Sequence, residues 1–175
     1  VLQFTAEVSF ESGEVVPDFE LIEWSLSNIS AGEIDDTGAF FPSITNGGRT
    51  WVTASAGGVS ATADLLVVYE EEVLTADVPS GVDAVFESTG ELSTGLVFAY
   101  PEDGVALPRN LQSPTFMWRD SVDANLYRLE FSSETTTVVV YTLDPEWAAT
   151  ETLWRTITAT NAGGEVSVAL SAASV

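Results

Sequence analysis

Histidine, cysteine and lysine are all absent from these 175 residues. Imidazole bases, thiol chemistry, disulfides and the usual zinc ligands are therefore excluded together. What remains is oxygen chemistry, from 27 carboxylates set against five arginines. Neighbouring carboxylates and carbonyls can hold calcium, which takes six to eight oxygens. The adjacent pair Asp35-Asp36 is the candidate for such a site. Its segment, Ile34-Asp35-Asp36-Thr37-Gly38, lacks the alternating ligands of an EF-hand. The competing reading is a turn, with Asp accepting backbone N–H bonds and Gly supplying positive φ. The run Glu70-Glu71-Glu72 could gather cations diffusely, but reads first as solvated charge. Paired carboxylates could also serve as a glycosidase acid and base. Here the acids are scattered over turns and outward strand positions, so no catalysis and no cofactor are expected.

The remaining candidates are aromatic or amide groups. Asn28-Ile29-Ser30 matches the glycosylation triplet. Tryptophan is the usual platform on which sugar rings stack. Trp24 and Trp118 fall on core-facing parity and are expected inside. Trp51 alternates with Val52 and Ala54 and points away from the core, and Trp147 lies in the loop-like stretch Asp144-Pro145-Glu146-Trp147. Trp51 and Trp147 are thus the candidates for contact with a glycan, a partner or another part of the chain. A formal charge of −22 repels phosphate and anionic lipid, so nucleic acid and membrane surfaces are poor partners. No apolar run approaches a membrane span of roughly 20 residues, and no membrane insertion is expected.

The elements that carry these residues are strands. Leu2, Phe4, Ala6, Val8 and Phe10 alternate with Gln3, Thr5, Glu7 and Ser9, the period of a half-buried strand. Ile22, Trp24 and Leu26 repeat the pattern, as do Val52, Ala54 and Ala56. After the hairpin signal Gly57-Gly58, Ala61, Ala63, Leu65 and Val67 are expected to face inward. Residues 1–69 hold ten acids and one arginine. Residues 70–94 hold seven acids and no base, and read as an extended, self-repelling connector with room for a short strand near Val82–Phe86. Alternation resumes at Leu96. Phe116 and Trp118 share a face, then Tyr127, Leu129 and Phe131, and Thr135–Leu143 is strongly strand-forming. Thr156–Thr160 and Glu165–Leu170, on either side of Asn161-Ala162-Gly163-Gly164, read as a hairpin. The expectation is an all-β chain of two consecutive antiparallel sandwiches over 1–69 and 95–175, joined by an acidic connector over 70–94.

Four features of the first half carry a family resemblance: Ile22-Glu23-Trp24-Ser25-Leu26-Ser27-Asn28, then Gly32-Glu33-Ile34-Asp35-Asp36-Thr37-Gly38-Ala39-Phe40, then Gly48-Arg49-Thr50-Trp51-Val52-Thr53-Ala54, then Gly57-Gly58-Val59-Ser60. They resemble the bacterial immunoglobulin-like domain, group 2. The resemblance implies an Ig-like sandwich in a bacterial extracellular or cell-surface protein, and explains Asn28 and Ser30 as strand-end residues. It also implies a strand before Leu2–Phe10 that is not among these residues. Three accounts stay open: a fragment of a longer protein, a strand supplied from elsewhere or from a neighbouring subunit, or a variant without it. A missing strand would expose the edge at Leu2 and Phe4 to addition of another strand. The second half resembles a fibronectin type III or related Ig-like domain through Pro114–Trp118, Ala124–Leu129 and Ile157–Gly164. At that family's corner tyrosine this chain has Leu153 beside Trp154. The same parity turns Arg155 inward, which demands a bulge or a partner. The expected function is non-catalytic: a structural or assembly module such as an adhesin, stalk or filament subunit, with protein partners or self-association through edge strands. A carbohydrate-binding accessory module is the alternative.

Overall fold

A computed structural model describes residues 1–9, 11–15, 22–89, 95–108 and 110–174. The fold is all-β with several antiparallel sheets. The chain divides into two compact units, Val1–Val68 and Tyr69–Val175.

The first unit has two three-stranded sheets. One has the order β1 (Leu2–Gln3), β4 (Ala39–Pro42), β3 (Gly32–Ile34); the other has β2 (Glu23–Leu26), β5 (Gly48–Ala56), β6 (Val59–Val67). The alternation read in the sequence decides which faces meet. Val52, Ala54 and Ala56 are buried along β5, and Phe4, Ala6 and Val8 are half-buried while their neighbours are exposed. Phe10 lies outside the described residues. The core is small: Ala31, Phe40 and Val67, with Phe4, Leu26, Ile34 and Leu65 packed against it. Residues from both sheets contribute, so the sheets pack face to face. Along β6 the expected inward set is only half realised. Leu65 and Val67 are covered, whereas Ala61 and Ala63 are exposed.

The second unit is also built on two sheets. A four-stranded sheet runs β13 (Ser167–Ala173), β10 (Leu126–Ser132), β11 (Thr136–Thr142), β7 (Tyr69–Leu74). A three-stranded one runs β12 (Glu146–Ala148), β9 (Thr115–Asp120), β8 (Leu96–Tyr100). Between them lies an aromatic core. Phe116 meets Phe131 edge to face at 5.0 Å, and Trp147 lies 6.1 Å from Phe116 and 5.6 Å from Phe131. Trp118 meets Tyr127 edge to face at 5.3 Å.

Two expectations fail here, for physical reasons. The acidic connector over 70–94 is not what stands at Tyr69–Leu74: that segment is β7, paired in parallel with β11 from Tyr69↔Thr136 to Leu74↔Tyr141. Tyr69 and Val73 pack against the aromatic core, while the three glutamates are exposed on an edge strand. An edge strand tolerates charge because one side of its backbone meets water. Further on, Val82 and Phe86, the latter on α1 (Asp83–Thr89), are buried against Leu126, Tyr141 and Ala173. Residues 90–94 lie outside the described set.

The second failure is the late hairpin. Glu151–Thr160 is a helix, α2, not a strand. Its start is encoded locally. The Thr150 hydroxyl accepts the Leu153 N–H at 3.3 Å, and Glu151 sits in the first turn, where the helix dipole favours an anion. Leu153, Trp154 and Ile157 then repeat with helical spacing and are buried. Arg155 consequently points out and pairs with Glu151, with 74% and 84% of the two side chains exposed. No inward charge arises, and an exposed pair of this kind adds little stability. Asn161 ends the helix, its side-chain amide donating to the Ile157 carbonyl at 2.7 Å and to Thr136 at 2.9 Å.

Gly38, at φ +80°, is one of the close approaches of the first unit. A Cβ there would lie 2.7 Å from the Phe4 carbonyl oxygen and 2.9 Å from the Trp24 ring. Gly38→Ala is expected to destabilise this unit by about 1–3 kcal/mol, from positive φ and the clash combined. Chemical denaturation followed by Trp fluorescence measures it.

Candidate interaction surfaces

The residues singled out for chemistry divide sharply once folded. Asp35 is a turn-maker. Its Oδ1 accepts from Thr37 N–H at 2.9 Å, the Thr37 hydroxyl at 2.7 Å and Ala39 N–H at 2.9 Å. The Thr37 hydroxyl, followed by the Ala39 amide, holds the carboxyl below its ordinary 3.8. An oxygen already accepting three hydrogen bonds has little left for a cation, and Asp36 beside it makes no such contacts. Among the described residues no three acidic side chains converge into a metal-sized group.

Asn28 is likewise consumed. Its Oδ1 accepts from the N–H and hydroxyl of Ser30, at 3.1 and 2.6 Å, and its Nδ2 donates to the Arg49 carbonyl at 3.3 Å. Asn28 thereby caps the short 3₁₀ turn Ile29–Ala31, and the triplet is structural.

The two tryptophan candidates part company. Trp147 is not on the surface: it is 7% exposed on β12, between Phe116 and Phe131. The Pro145-Glu146 neighbourhood suggests a loop, but β12 pairs with β9 and turns the indole inward. Trp51 is outward, as parity requires, and 49% exposed. Its backbone is held to Ser27 by two hydrogen bonds. Its N–H donates to the Ser27 hydroxyl at 2.8 Å, and its carbonyl accepts the Ser27 N–H at 3.1 Å. Arg49 and Asp64, ion-paired, share this sheet face with Trp51, as Thr53 and Thr62 do. The first unit thus presents an exposed indole within a largely polar sheet face.

The strand edges complete the surface. β1 is outermost in its sheet, with Leu2 48% exposed and Phe4 half-buried, 6.4 Å from the Trp24 ring. β6 is outermost in the other sheet and is exposed along most of its length. Open hollows are present among the described residues. One of about 540 Å³ lies beside the β5–β6 turn and includes Glu23; one of about 400 Å³ lies beside α2 and includes Glu151 and Arg155. Each contains a single carboxylate, so neither provides an acid–base pair.

One polar cluster was not anticipated. Asp120, at the end of β9, accepts the Val122 N–H at 2.6 Å, the Ala124 N–H at 2.7 Å and the Tyr127 hydroxyl at 2.9 Å. The sequence signal was present, an Asp opening the turn Asp120-Ser121-Val122-Asp123. Burial works to raise the Asp120 pKa, but these hydrogen bonds outweigh it and hold the carboxyl below 3.8. Burial, reinforced by the Asp120 carboxylate, pushes Tyr127 up to about 12. The cluster fixes the β9–β10 turn.

A carboxylate depressed by folding stabilises above its ordinary 3.8, and that contribution is lost as pH falls through the lower folded value. Asp120→Asn is expected to cost about 1–2 kcal/mol at pH 7 and to flatten the acid limb below pH 4. Urea titrations of both proteins from pH 2 to 7 measure it; parallel curves would contradict it.

Among the described residues, no helix is long and apolar enough to cross a membrane. No protein-family model matches the chain, and no curated protein or solved structure is significantly similar to it.

Proposed function

We propose that the chain is a non-catalytic structural or assembly module of a bacterial extracellular surface protein, such as an adhesin, stalk or filament subunit. One observation carries this reading: the side chains best suited to chemistry are spent on the fold. Asp35, Asn28 and Asp120 each hold a turn, and Trp118, Trp147 and Trp154 are buried. What faces outward is backbone edge and acidic surface, the material of display and lateral contact. The sheet orders β1-β4-β3 and β2-β5-β6 support reading the first unit as an Ig-like sandwich with β1 left as an edge. Limited protease treatment of intact source cells tests the reading. Peptides from both units should be released before any cytosolic marker. Recovery only after lysis would overturn it.

The exposure of Trp51 favours a second reading, a carbohydrate-binding module. A sugar ring would stack on the indole while the Arg49–Asp64 pair and the threonine hydroxyls meet its rim. Screening the chain and its Trp51→Ala variant on a glycan array decides it. Binding that drops about tenfold or more in the variant supports this module; no binding by the parent chain sinks it.

A further inference from the structure

β6 is nine residues long and outermost in its sheet. It joins β5 through Gly57-Gly58, both at positive φ, +55° and +86°, the two-residue hairpin whose flanking residues Ala56 and Val59 form a hydrogen-bonded pair. Bonding alternates from there. Val59, Ala61, Ala63, Leu65 and Val67 therefore turn their N–H and C=O groups toward β5. Ser60, Thr62, Asp64 and Leu66 turn theirs to the open side, and among the described residues no strand pairs with that side.

We propose that this edge is closed by β6 of a second copy, antiparallel, across a two-fold axis at Ala63. The register follows from the sequence of the strand. An axis at Ala63 pairs Ser60 with Leu66 and Thr62 with Asp64, engages all four open residues of each copy and makes about eight hydrogen bonds. Asp64, the single acid of β6, then faces a threonine hydroxyl instead of its own copy. An axis at Asp64 would oppose the two carboxylates, and an axis at Thr62 would leave Leu66 facing the Gly58 turn. On the inner face Ala61 meets Leu65, small against large. The distribution of acids points the same way. Another exposed edge strand, β7, carries Glu70, Glu71 and Glu72 in succession, which oppose like charges when it is paired with itself about its middle. In a chain of net charge −22, that edge is guarded and β6 is not. Because each copy carries this charge, the dimer should form more readily as salt rises.

The proposal rests on the assembly reading above and is tested independently of it. The chain has no cysteine, so Ala63→Cys introduces a single thiol. Across the axis the two positions form a non-hydrogen-bonded pair with Cα atoms about 4.5 Å apart, within disulfide range. Ala61→Cys is the register control, its two copies lying about 13 Å apart along the strands. Under mild oxidation in raised salt, the position-63 variant should cross-link and the position-61 variant should not. Sedimentation equilibrium should show wild-type dimer growing with salt. Thr62→Pro removes an N–H that faces the open side and not β5, so it should keep the fold by circular dichroism yet raise the dimer Kd about tenfold or more. Equal cross-linking at both positions, or monomer at every salt, overturns the pairing. A monomeric chain still released by surface proteolysis would overturn this interface and leave the surface-module reading standing.

Discussion

Phe116 and Phe131 come from different sheets of the second unit and meet edge to face at 5.0 Å. Most of that unit is arranged around this contact. Trp147 and Trp154 lie against Phe116, each at 6.1 Å, so β12 and α2 are both anchored to the same ring. With no disulfide available, large aromatic area removed from water is the main favourable term, and rings meeting edge to face add to it. The placement of α2 follows, because its buried stripe needs an aromatic surface to cover. So does the half-burial of Tyr69 and Val73 on β7, which close one side of the core.

The first unit has no comparable cluster. Its buried cluster is an alanine, a phenylalanine and a valine. Specificity there rests more on turns: Asp35 with three donors, Asn28 capping one end, and Gly38 allowing the Phe4 carbonyl and Trp24 ring to come close. These polar residues look like candidate ligand sites in sequence because the chemistry that binds a cation or a sugar also satisfies backbone N–H groups. In the fold the backbone takes them. The surface left over is defined less by side chains than by strand edges, one of them crowded with glutamates and another nearly uncharged.

Strand parity was legible along several strands. Trp51 outward, Val52 and Ala54 inward, Phe116 and Trp118 on one face, and Gly57-Gly58 as a hairpin are all local consequences of a two-residue period and positive-φ glycine. The misreadings share one cause. Tyr69–Leu74 and Pro145-Glu146 carry strong local signals, charge and turn propensity, which in a local window outweigh a few alternating apolar positions. Tyr69, Val73 and Trp147 show that burial of one face outranks charge on the other. For Thr156–Thr160 the β-branched content masked a helix that Thr150 and Glu151 announce and that Leu153, Trp154 and Ile157 confirm at helical spacing.

By itself the sequence determined the all-β class, the strand faces, the turns and the outward indole, because each depends on residues within a few positions of one another. Tertiary structure alone decided that β7 pairs in parallel with β11, that β13 lies beside β10, that Trp147 is core and that β6 ends its sheet. Those outcomes depend on which distant strand offers a matching hydrogen-bonding edge and an apolar face. No local window contains that information, since the partners stand tens of residues apart and compete for the same buried area.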